Sequence, residues 1–168
     1  MTRAAPHDPR KRLRPLLAAL SADWGEQYLR YRWATDRRNA PVLLFAHWLE
    51  DATDPAEAFL TILVHVHPRA HSMIVFAQIR NQAAELIDMK GSEHHNRGLG
   101  TLALAFLDEI ACELGAETIE GWLSPVDLDH RPRQVHFYEK NGYTVWISED
   151  RSEGRIVKRL RCGDRSLS

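Results

Sequence analysis

The chain has 168 residues, a length that favours one domain and suffices for a core without staples. With 44% hydrophobic residues, 27% charged residues and a net charge of -1, its composition is that of an ordinary globular protein, with no global field drawing it to nucleic acid or an anionic membrane. No run approaches the roughly 20 apolar residues that span a bilayer, and Leu16 to Leu20 is too short for a signal-peptide core, so a cytoplasmic protein is expected.

Residues 1–12 hold Arg3, Arg10, Lys11, Arg12 and Arg14 nearby, with Pro6 and Pro9, and read as a disordered basic tail. One domain is expected over residues 13–162, with a second tail at 163–168. Gln27 to Thr35 alternates Leu29, Tyr31 and Trp33 with Arg30 and Arg32, which fits a strand, while a helix competes for the same residues. Pro41 to Asp51 reads as a helix with Pro41 in its first turn and Val42, Phe45, Ala46 and Leu49 as its buried stripe. Asp54-Pro55 breaks the pattern. Phe59 to Val66, Ser72 to Ile79 and Ala84 to Met89 follow as strands, and their short connectors make them antiparallel.

A helix is predicted from about Arg97 to Leu114, carrying Leu99, Leu102, Ala103, Phe106, Leu107, Ile110 and Leu114 at helical spacing, with Gly115 as its C-terminal stop. Thr118 to Leu123 is the next strand, reached by a right-handed parallel crossover. A helix over Pro132 to Lys140 closes at Asn141-Gly142, and Tyr143 to Ser148 with Arg155 to Leu160 form a terminal hairpin that is able to support a homodimer. Cys112 and Cys162, the only two cysteines, make no disulfide framework and read as reduced thiols.

Two segments carry chemistry. Asn96-Arg97-Gly98-Leu99-Gly100-Thr101 lies between a strand and an amphipathic helix, where bare backbone and unpaired first-turn amides suit a phosphate or pyrophosphate. Gly98 to Ala103 also matches a dinucleotide-binding G-x-G-x-x-A pattern, with Glu120 near the acidic offset. That reading is weak, because Lys90 to Arg97 separate strand from glycines and only one crossover is evident. Packing of the helix against the sheet is the bland role for the same glycines. His65, His67 and His71 have a metal-like spacing without the convergent further ligands zinc needs, so no metal is expected. The five tryptophans are scattered and read as core or pocket lining rather than a nucleic-acid platform.

The second segment is Phe137-Tyr138-Glu139-Lys140-Asn141-Gly142-Tyr143. Together, the two segments resemble the GCN5-related N-acetyltransferase (GNAT) family, whose acetyl-CoA motif Q/R-x-x-G-x-G/A is matched by His95 to Gly100 and whose later FYEKxGF motif is matched by Phe137 to Tyr143. The resemblance covers roughly residues 59–160. It implies an α/β fold with a mixed central sheet: antiparallel N-terminal strands, a parallel pair around the central helix and a C-terminal hairpin. It implies acetyl-CoA as acyl donor, a primary amine of a small molecule, peptide or protein as acceptor, and direct transfer; the alternative is a non-catalytic module binding coenzyme A or a partner protein.

The residues the resemblance assigns to the coenzyme are Met89, Lys90, Asn96, Arg97, Gly98, Leu99, Gly100 and Thr101, with an N–H near Met89 polarising the thioester carbonyl and Tyr138 as proton donor to the leaving thiolate. His95 replaces the family's Gln or Arg, leaving Arg97 as the compensating cation, and Arg131 stands where an Asn is frequent. Glu85, Asp88 and Glu120 lie on the strands flanking the expected cleft; alternation puts Glu85 and Asp88 on opposite faces, and none is assigned as the base. A valine at Gly100 is expected to block the coenzyme while sparing the fold.

Overall fold

The computed structural model describes residues 8–54, 56–91, 97–123 and 130–163. Helix α1 (Arg14–Ala22) and a 3-10 turn (Glu26–Tyr28) lead into β1 (Leu29–Thr35). Then come β2 (Pro41–Glu50), β3 (Ala58–His65), β4 (Met73–Arg80), β5 (Ala83–Gly91), α2 (Leu99–Glu113), β6 (Thr118–Leu123), α3 (Arg131–Lys140), β7 (Thr144–Ile147) and β8 (Gly154–Arg159). The eight strands form one sheet in the order β1-β2-β3-β4-β5-β6-β8-β7. The first five make an antiparallel meander, β5 and β6 are parallel, and β8 lies antiparallel between β6 and β7. Sequence and structure thus agree on a mixed sheet with one parallel pair and a terminal hairpin.

The expected helix over Pro41 to Asp51 is a strand. A helix there would bury only its stripe, but Val42, Leu43, Leu44, Phe45 and Ala46 are all at most 1% exposed, and Leu49, placed in the stripe, is 59% exposed. As a strand the segment is covered on both faces: Val42, Leu44 and Ala46 join the core cluster with α2, while Leu43 and Phe45 are buried on the opposite face. Burying each extra leucine contributes about 1.5–3 kcal/mol, which outweighs helix propensities of under ~1 kcal/mol per residue. Gln27 to Thr35 resolves into the 3-10 turn and β1, with Arg30 and Arg32 pairing Glu113 and Glu109 of α2. The β4–β5 hairpin turns on Asn81 and Gln82, both at positive φ, the backbone of a tight two-residue turn.

Helix α2 buries Leu99, Ala103, Leu104, Phe106, Leu107, Ile110 and Ala111 in the main core cluster with Val42, Leu44, Ile62, Val75 and Ala84. It ends at Gly115, whose φ of +88° gives the left-handed stop expected of a glycine there.

Cys112 and Cys162 are not separate thiols: they form a disulfide, with Cα atoms 5.5 Å apart. The chain leaving β8 continues alongside the α2–β6 loop, Leu160 N–H donating to Glu117 O at 2.8 Å, and this carries Cys162 to the last turn of α2. Spacing along the chain cannot reveal such a pairing, because the sheet closes the distance. Among the described residues, no helix is long and apolar enough to cross a membrane.

Candidate active site

The sheet parts where the parallel pair ends. The β5–β6 register runs from Ala83↔Thr118 to Leu86↔Gly121 and stops, while β5 continues along β4 as far as Met73↔Gly91. Gly121 permits the last close approach, since a Cβ there would lie 3.1 Å from Leu86 O. Immediately beyond, Ile87 has no partner on β4: Ala77 opposes Leu86 and Phe76 opposes Asp88. This bulge bends β5 away and opens a cleft.

At the mouth of the cleft stands the start of α2. Its N-cap is Gly98, at φ 76°, a left-handed conformation that costs other residues more. No side chain caps the helix and its first turn holds no carboxylate. Leu102 N–H, bonding to Gly98 O at 3.2 Å, is the first to find a helical acceptor. The N–H groups of Leu99, Gly100 and Thr101 therefore leave the helix pointing outward, at its positive end.

The loop before α2 is held from afar. Asp36, in the turn between β1 and β2, has a fully buried side chain. Its Oδ1 accepts the N–H groups of Arg38 at 2.8 Å and Ala40 at 2.9 Å, and its Oδ2 accepts the Arg97 guanidinium. Arg37 N–H adds a bond to Arg97 O at 3.1 Å. Burial alone would raise the Asp36 pKa, but the bonds from Ala40, Arg97 and Arg38 outweigh it and hold the carboxyl below its usual value. The charge expected of Arg97 is thus neutralised within the protein.

The cleft has a volume of about 480 Å³ and is lined by Arg37, Ser72, Met73, Met89, Gly91, Arg97 to Thr101, His130, Arg133, Gln134, His136, Phe137 and Lys140. Of the residues expected at the coenzyme, Met89, Arg97, Gly98, Leu99, Gly100 and Thr101 are gathered here. Lys90 is not: it opposes Ile74 on the other face of the sheet and pairs with Asp88 at 2.9 Å. Asn96 and His95 lie outside the described residues.

Gly100 requires a correction. A Cβ on it would meet the Phe137 ring at 2.9 Å, so its bare face admits α3 rather than open cleft. A valine there would press on the tip of the Phe137 ring, so the substitution bears on the packing of α2 against α3 as well as on the cleft.

Tyr138 is 9% exposed and lies behind Phe137, in the core cluster. Its ring centroid is 5.1 Å from that of Phe137 and 5.5 Å from that of Tyr143, both edge-on. Burial, with a smaller contribution from the Asp88 charge, pushes its pKa up to about 12. Among the described residues its hydroxyl makes no hydrogen bond.

The bulge also corrects the reading of the carboxylates. Glu85 opposes Gln78 and Asp88 opposes Phe76, so the extra residue Ile87 brings both acids to one face, away from α2. Glu120 is the register partner of Glu85 on β6 and is paired with Arg155 at 2.9 Å.

Arg37, His130 and Arg133 were missed by reading the sequence. Arg37 sits in Asp36-Arg37-Arg38-Asn39, whose composition signals a turn and nothing more. Only the meander returns that turn to α2.

No protein-family model matches the chain. It is 31% identical over 80 residues to the uncharacterized protein YocC of Bacillus subtilis, covering 48% of this chain and 47% of that protein. The chain thus spans about half the length of the curated relative it matches. Among solved structures, the GNAT domain of S. lividans PAT superposes with a TM-score of 0.57 at 12% identity, covering 82% of this chain and 99% of that one. The PaiA N-acetyltransferase of Thermoplasma acidophilum, in complex with coenzyme A, gives 0.51 at 17% identity, covering 60% of each chain. An acetyltransferase of Bacillus subtilis in complex with CoA gives 0.50 at 19% identity, covering 61% and 77%. At these identities the likeness is one of fold.

Proposed function

The chain has the fold of the GCN5-related N-acetyltransferases, and from that premise we propose that it transfers an acetyl group from acetyl-CoA directly to a primary amine. One observation carries the reading: an uncapped helix start at Gly98 shares one cleft with the end of β5, beyond the point where β5 leaves β6, and with α3, whose Phe137 lines it in front of an unionised Tyr138. The residues present fit a diphosphate-bearing donor, since outward amides and a cationic lining are what such an anion requires.

In this reading the amides of Leu99 to Thr101 hold the diphosphate. Backbone of β5 beyond Leu86, free of β6, pairs with the extended arm, and an N–H near Met89 faces the carbonyl where negative charge develops. The donor supplies a thioester: the amine nitrogen bonds to the acyl carbon, the C–S bond breaks, and the proton lost by nitrogen balances the thiol released. Tyr138, with its pKa raised to about 12, stays neutral at physiological pH and donates to the sulfur as charge grows there. A poorly acidic phenol serves here as a hydrogen-bond donor more than as a free proton source.

The second reading, a module that binds coenzyme A without turnover, draws on the depth of Tyr138 in the core. Thiol release from acetyl-CoA across a panel of amines separates the two. The transferase reading expects turnover that Tyr138→Phe lowers by about a hundredfold while coenzyme affinity by calorimetry stays the same. Tight binding with no turnover on any amine would establish the second reading instead.

A further inference from the structure

We infer that Arg37, carried by the turn between β1 and β2, grips the diphosphate of the coenzyme in the place that sequence reading gave to Arg97. The inference rests on the reading that the cleft takes coenzyme A. Arg97 cannot serve as the free cation, because its side chain is only 13% exposed and its guanidinium is bound to the buried Asp36 carboxylate. The α2 start supplies about half an elementary charge, whereas a diphosphate diester carries two negative charges, so the site needs a fixed cation beside the amides.

Arg37 meets that need by position. Its side chain runs along Gly98: a Cβ there would lie 3.2 Å from Arg37 Nε and 3.3 Å from its Cγ. The glycine is what lets the guanidinium stem pass so close to the helix start. The backbone of Arg37 is pinned to the same loop through its N–H bond to Arg97 O at 3.1 Å. Asp36 fixes the turn through the N–H groups of Arg38 and Ala40 and ties it to the loop through the Arg97 guanidinium, so the charge is delivered at a set distance from the outward amides. Among the described residues the Arg37 side chain makes no ion pair, which leaves its planar fork free for two phosphate oxygens. Arg133 and Lys140 also line the cleft, but from the exposed side of α3.

The test is calorimetry of coenzyme A and dephospho-coenzyme A binding to the full chain and to Arg37→Ala and Arg37→Lys, with melting temperatures taken alongside. Expected is a loss of about tenfold or more in affinity for both ligands in Arg37→Ala. Arg37→Lys should regain part of it, with no change in melting, because Arg37 is exposed. Equal affinity of Arg37→Ala and the unaltered chain would overturn the inference and leave the coenzyme reading standing. So would a loss confined to coenzyme A, which would move Arg37 to the 3′-phosphate. Failure of the unaltered chain to bind coenzyme A would overturn the coenzyme reading and this inference with it.

Discussion

Replacing Asp36 by alanine removes the group that ties the β1–β2 turn to the start of α2, and its cost follows from burial. The carboxylate is fully enclosed and Arg97 is 13% exposed, so this is an interior pair, and deleting one partner of such a pair typically costs about 3–5 kcal/mol. Two features place the change near the lower end of that range. The N–H of Arg38 lies in an exposed turn where water can replace Asp36, and Arg97 retains a path to solvent. A loss of about 3 kcal/mol is expected, which for a chain of this length lowers the melting temperature by roughly 6–12 °C.

Urea and thermal unfolding followed by circular dichroism measure it, and an Asp36→Ala, Arg97→Met pair completes a cycle. Because the orphaned guanidinium is the source of the penalty, the double variant should be more stable than Asp36→Ala alone. The pH dependence has a definite sign. The Asp36 pKa is depressed in the folded state, so its stabilisation is present above the ordinary carboxylate pKa and disappears as pH falls through the lowered folded value. A loss under about 1 kcal/mol, or strict additivity in the cycle, would refute the account of a buried clamp.

The disulfide joins residues 50 positions apart, and closing a loop of that length contributes about 4 kcal/mol at most by chain entropy. Reductant should therefore lower the melting temperature, and thiol alkylation in denaturant should label neither cysteine until reduction; labelling of both in unreduced protein would sink the pairing. Tyr138 titrates near 12 in the folded chain against about 10 when unfolded. Its contribution is intact below pH 10 and is lost as pH rises through about 12, a change on the order of 3 kcal/mol. Tyr138→Phe should flatten stability over that interval, and parallel curves for the two proteins would count against the burial of the phenol.

Much of the site could be read from the chain because it is local. Gly98, the helix behind it and Gly115 depend on short-range rules, and Phe137 to Tyr143 is a contiguous segment, so neither needs a tertiary contact to be recognised. The β2 error has the opposite origin. Val42 to Ala46 has no period of its own when buried on both faces, and a proline before an apolar run looks like a helix start until neighbouring strands are present.

The amino-acid sequence alone determined the mixed sheet, the helix that starts at a left-handed glycine and the tyrosine segment that follows, because propensity and spacing act over a few residues. Only the tertiary structure decided which charges meet at that helix. Asp36 neutralises Arg97 across 61 positions, the bulge at Ile87 turns Glu85 and Asp88 to one face, and Gly100 proves to accommodate Phe137. Each of these depends on strands from distant parts of the chain lying side by side, and no local pattern encodes which residue of one segment will stand opposite which residue of another.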